Sequence, residues 1–233
     1  MRAIFIQQDH VSPVGPLGER FAFHGFDVVE FPVVPAERFH SPDVVVTYPE
    51  VSRDDVLIPM GAPWSCNDVE GIGSWLLPQM EWLKDAHERE IPILGVCFGG
   101  QVMAKVLGGR VEKSPKPEIG WIEIESDRPD LVPGGEWFSF HYDRWVLPHD
   151  LHDIARNDVC SQAFVSKRTL GVQFHPELNS TMLEGWLLEG GVPKVVEDGQ
   201  DPDMLMASTR QRDEQGRRKA YALVDNFLNN VAN

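Results

Sequence analysis

Positive charge is scarce in this chain. Lysine and arginine number 21 against 36 aspartates and glutamates, a formal net charge of −15 over 233 residues. A field of that sign repels phosphate backbones and anionic lipid surfaces, so neither nucleic-acid binding nor membrane association is expected. Cysteine is scarcer still: Cys66, Cys97 and Cys160 form an odd set with no Cys-x-x-Cys pair. That argues against a disulfide framework or a thiolate zinc site and leaves the chemistry of a reduced thiol. No window reaches the roughly 18 uninterrupted apolar residues of a membrane span. The apolar opening Ala3 to Ile6 gives way at once to Gln7-Gln8-Asp9, too short a run for a signal-peptide core. A cytoplasmic location is expected. A Gly-x-x-x-x-Gly-Lys phosphate loop is missing, so the sequence offers no visible means of binding ATP, and no cofactor is expected. His149 and His152, with Asp150 and Asp153, fall in a polar stretch without a further ligand at a specific spacing, and no metal site is expected there.

What is present is an alternation of short apolar runs with amphipathic stretches. Ala3 to Ile6, Val28 to Val34, Val44 to Tyr48, Val56 to Met60 and Ile91 to Val96 read as strands covered on both faces, a parallel-sheet signature. Gly15 to Phe26 and Gly71 to Arg89 read as helices; in the second, Ile72, Leu76, Met80 and Leu83 share one face. Strand and helix in alternation predict a three-layer α/β sandwich around a mostly parallel sheet. From Val111 to Phe174 the short strands are punctuated by Gly and Pro, and mixed or antiparallel sheet is expected. The polar run 197–203 reads as a loop before a last helix. There Ala220, Leu223, Val224, Phe227, Leu228 and Val231 form a stripe that docks on the body. No repeat and no low-complexity segment appears, so 1–233 is expected to be a single domain.

The strongest local signal is Gly95-Val96-Cys97-Phe98-Gly99-Gly100-Gln101, an apolar strand running into a helix-like segment that Gly108-Gly109 stops. Glycines two before and two after the cysteine suit a nucleophile elbow, where backbones come too close for Cβ atoms. Cys97 would then stand exposed at the carboxyl edge of the sheet and at a helix amino terminus, a setting that favours thiolate. A buried structural cysteine in a glycine-rich turn is the plainer alternative. The second signal is Gly171-Val172-Gln173-Phe174-His175-Pro176-Glu177. Proline keeps His175 extended, so His175 and Glu177 can share one side of the chain, and a carboxylate there can hold an imidazole in one tautomer. A strand-end surface histidine beside a solvated glutamate is the alternative.

Together these motifs resemble the class I, or triad, glutamine amidotransferases, and among them the amidotransferase domain of GMP synthase and its free-standing relatives. Val56 to Pro63 is similar to that family's strand and Gly-Gly-Pro loop, and Lys116 to Trp121 to its Lys-Glu-Ile-Gly-Trp segment. The resemblance spans about residues 1–178; the tail 179–233, read as helical, carries no recognisable motif. It implies a flavodoxin-like fold, Cys97 as nucleophile, His175 as general base and acid, and Glu177 as the group that orients His175. It also implies an oxyanion hole from the N–H groups of Gly61 and Phe98, with Gln101 touching the bound glutamine. Ala62 replaces a second glycine, a small change. Phe140-His141-Tyr142-Asp143 stands where relatives have a His-Gly-Asp turn beside the amino-acid end of glutamine, which makes His141 and Tyr142 candidate substrate-binding residues, His141 rather a turn residue. The implied activity is hydrolysis of glutamine with release of ammonia to an acceptor or to a separate synthase subunit. The alternatives are a stand-alone γ-glutamyl hydrolase or peptidase, which the bulk of Tyr142 favours, and a catalytically silent regulatory module.

Overall fold

The computed structural model describes residues 1–232. Nine strands form one sheet in the order β2-β1-β3-β4-β9-β8-β7-β5-β6. β1 (Arg2–Gln7), β2 (Asp27–Pro32), β3 (Val56–Pro59), β4 (Ile93–Val96) and β9 (Thr169–Val172) run parallel. β8 (Ser161–Ser166), β7 (Asp153–Arg156), β5 (Arg110–Ser126) and β6 (Gly135–Val146) extend the sheet antiparallel. The mixed character expected of residues 111–174 is therefore an antiparallel wing on a parallel core.

Alternation along the strands builds the three layers. In β1, Ala3 and Phe5 face one side with α1 (Gly15–Phe23) and α6 (Pro202–Asn230), packing against Leu17, Phe21 and Phe227. Ile4 and Ile6 face the other side with α2 (Val69–Glu88) and α3 (Phe98–Val106), against Trp75, Leu83 and Val102. The stripe of α6 docks as its spacing requires: Ala220, Leu223, Val224 and Phe227 are fully buried. Arg20 secures it with paired bonds of 2.7 Å to Asp225. A third cluster, Ile119, Phe138, Leu183, Val195 and Leu205, joins the β5–β6 ribbon to α4 (Ser180–Trp186), α5 (Val192–Glu197) and the start of α6. Among the described residues no helix is long and apolar enough to cross a membrane.

Two expectations are corrected. Val44 to Tyr48 is not a strand but an extended strap over α2. Its flanking carbonyls are taken by helix side chains, Trp75 Nε1 donating to Pro42 O and Trp82 Nε1 to Pro49 O, both at 3.0 Å, and Ser74 Oγ to Val44 O at 2.9 Å. Likewise, 140–143 is no turn. His141 pairs with Glu118 and Asp143 with Lys113 inside the β5–β6 ladder, so the irregularity lies on the opposite strand, at residues 114–117. Pro115 and Pro117 cannot donate ladder bonds, and the extra residues bulge there.

Candidate active site

β4 ends at Val96, and the chain bends so sharply that Cys97 sits at φ 48° and ψ −105° before α3 begins at Phe98. This is the strained strand-to-helix elbow expected of the glycine pattern. A Cβ on Gly95 would lie 2.9 Å from the backbone of Gly99 and Gly100, and one on Gly99 would strike the carbonyl of Pro59. The expectation of an exposed thiol is corrected: Cys97 is only 4% exposed, because it forms the floor of a cavity rather than an open sheet edge. The cavity measures about 220 Å³.

β9 runs parallel beside β4, so the His-Pro-Glu segment leaves the sheet next to the elbow. His175 Nδ1 and Glu177 Oε1 are 2.8 Å apart, with Glu177 fully buried. Burial alone would lower the His175 pKa. The Cys97 sulfur and the Glu177 carboxylate outweigh it and raise it to about 10, so the imidazolium persists at neutral pH. Burial pushes the Cys66 thiol up to about 12, and burial with the Glu118 charge pushes Cys160 up as well. Neither is suited to act as a thiolate near neutrality.

Gly61 closes the approach. A Cβ there would come 2.8 Å from His175 Cε1 and 3.9 Å from Cys97 Cβ, so only glycine fits. The N–H groups of Gly61 and Phe98 have no backbone acceptor among the described residues; Phe98 N–H is one of the orphan donors of the α3 amino terminus. Gln101, one turn along α3, also lines the cavity, its amide donating to Asp143 O at 2.9 Å and to Gln173 Oε1 at 3.3 Å. Gln173 Nε2 in turn lies 3.6 Å from Cys97 Sγ. Gln173 lies within the His-Pro-Glu motif segment, which by itself assigns it no role. The two-residue period that aligns His175 with Glu177 carries Gln173 to the same side, and that was the available signal.

Tyr142 stands in the cavity wall. His141 is 4% exposed and belongs to a buried network, its Nε2 3.0 Å from Glu118 Oε2 and its Nδ1 3.0 Å from Asp143 O. Burial would raise Glu118, but bonds from His141, Asn157 and Cys160 hold its carboxyl below the usual range. Glu118, His141 and Cys160 present three possible metal-ligand atoms within 4.8 Å of one another. Asn157 and Gln162 already donate to the two carboxylate oxygens, at 2.5 and 2.7 Å, so the cluster is a hydrogen-bonded strut whose His141 also lines the cavity. The tail, in which the sequence offered no functional motif, contributes directly. The Trp186 ring meets the His175 ring edge-on at 4.8 Å, and Glu189, Gly190, Gly191 and Lys194 complete the wall.

A model of the family described as glutamine amidotransferase class-I matches residues 51–192, which include the loop at Gly61, the elbow and the His-Pro-Glu segment. The chain belongs to the class-I glutamine amidotransferases. Within that family it is similar to the glutamine-hydrolysing GMP synthase of Aeropyrum pernix, 35% identical over 134 residues, 52% of this chain and 26% of that protein. It is 38% identical to the GMP synthase of Yersinia enterocolitica over 116 residues, 42% of this chain and 22% of that one. The matched region thus spans about a quarter of the length of these relatives. In fold, the chain matches a glutamine amidotransferase from Thermotoga maritima with a TM-score of 0.82, 19% identity and 98% of both chains covered. It matches one from Methylobacillus flagellatus with a TM-score of 0.82 at 24% identity, over 99% of this chain and 95% of the other. The amidotransferase fold therefore takes in the tail as well as the motif-bearing part.

Proposed function

We propose that residues 1–233 act as one cysteine-dependent glutaminase domain. Cys97 attacks the side-chain amide carbon of glutamine, and the N–H groups of Gly61 and Phe98 receive the oxyanion, each such donor being worth about 3–4 kcal/mol in comparable sites. His175, held by Glu177, protonates the departing ammonia and then activates the water that cleaves the γ-glutamyl thioester to glutamate. The observation that carries this reading is the convergence of Gly61, Cys97, His175 and Glu177 on one small cavity. About 220 Å³ lies below the roughly 300 Å³ at which pockets for drug-sized ligands begin, which favours free glutamine over a γ-glutamyl peptide. An intact triad also speaks against a silent regulatory module. The ammonia would pass to an acceptor held by a separate synthase subunit.

The purified chain given glutamine should release glutamate and ammonia in equal amounts, faster once the acceptor subunit is supplied. Cys97→Ala should reduce the rate by about 10⁶-fold, as loss of the nucleophile does in other triads. Turnover that survives this substitution would remove the assignment.

A further inference from the structure

Four side chains that can carry positive charge line the cavity, and three have counter-charges, His141 Nε2 lying 3.0 Å from Glu118 Oε2. His175 is paired with Glu177, and Lys113 Nζ lies 2.8 Å from Asp143 Oδ1. Lys194, on α5, makes no ion pair with any carboxylate among the described residues. Its Nζ lies 5.9 Å from the centre of the Tyr142 ring, and partial burial alone lowers its pKa. An unneutralised, partly desolvated ammonium is costly unless something anionic completes it. A face-on tyrosine supplies a weak partner only.

We propose that Lys194 binds a carboxylate carried by the substrate and so sets its specificity. The proposal rests on the reading of Cys97 as a nucleophile toward γ-glutamyl amides. A single point charge without a backbone nest around it suits a singly charged carboxylate better than a phosphate. Glutamine carries such a group at its α-carbon, and a γ-glutamyl amino acid carries a second one beyond the scissile amide. Both would lie at the rim of a cavity whose floor holds the reacting amide.

The test measures release of the leaving amine from four substrates: ammonia from glutamine and from glutamine α-amide, glycine from γ-glutamylglycine and methylamine from γ-glutamylmethylamide. Wild type is compared with Lys194→Met, which keeps the apolar stem, and Lys194→Arg, which keeps the charge. A charge-assisted hydrogen bond corresponds to about 10- to 100-fold in KM, with kcat little changed. Lys194→Met should show that loss on every substrate that carries the recognised carboxylate, and Lys194→Arg should recover most of it. If the α-carboxylate is recognised, the Met penalty vanishes on glutamine α-amide. If the distal carboxylate is recognised, the penalty appears on γ-glutamylglycine and not on γ-glutamylmethylamide. An equal loss on all four substrates, or none, overturns the role of Lys194 while leaving the nucleophile in place. A wild-type chain that hydrolyses none of the four overturns the underlying reading instead.

Discussion

At the scale of single residues the site depends on a buried ion pair. His175 has lost its water, and burial opposes its charge, yet the Cys97 sulfur and Glu177 hold it protonated up to about pH 10. A histidine in the unfolded chain titrates near 6.5. Between those values the native state keeps a proton that the unfolded state has released, so this contribution to stability is complete below about pH 6.5 and is lost as pH rises through about 10. Denaturant titrations from pH 6 to 10.5 should show the decline, and Cys97→Ala, which removes the sulfur, should flatten it. A decline of equal steepness in the variant would place the coupling elsewhere. The clustering of Cys97, His175 and Glu177 was legible because they sit in two short motifs whose backbone constraints are local: glycines around a bend, and a proline after a histidine. Gln173 was within reach of the same logic. Trp186 was not, because no local pattern announces an edge-on contact between residues 175 and 186.

At the scale of elements, the apolar pattern read the helices from one buried face that must repeat, and the inner parallel strands from short runs buried on both faces. It failed at Val44 to Tyr48, where the same β-branched composition serves a strap held by tryptophan and serine side chains of α2 rather than by a ladder. The turn that the resemblance implied at residues 140–143 is also absent, because the prolines that cause the bulge lie on the strand opposite. The loop after β3 gives the sharpest test at this scale. Gly61→Ala inserts a methyl group against His175 Cε1, so the ring or the loop must move. Activity should fall about 10²-fold or more, since displacements near 1 Å have that effect on positioned groups. Stability measured by denaturant should change by no more than about 1–3 kcal/mol, the usual cost of overpacking. Near-wild-type activity would place the oxyanion donors elsewhere.

At the scale of the whole molecule, the parallel core supplies Cys97 and His175, the antiparallel wing supplies Tyr142 and Asp143, and the tail closes the cavity with Trp186 and Lys194. The wing and tail meet through the third apolar cluster, whose contacts join residues far apart in the chain. Such long-range packing leaves no periodic signature, which is why the core was readable from sequence and the lid was not. The central proposal is that Cys97 in this assembled cavity attacks the side-chain amide carbon of glutamine. A glutamine analogue bearing an electrophilic diazoketone in place of the side-chain amide tests it without requiring turnover or a partner. Peptide mass spectrometry after incubation near neutral pH should find one label per chain, on Cys97, with labelling slowed by added glutamine and Cys66 and Cys160 unmodified. Labelling spread over the three cysteines, or labelling of Cys97 that glutamine does not slow, would contradict the account.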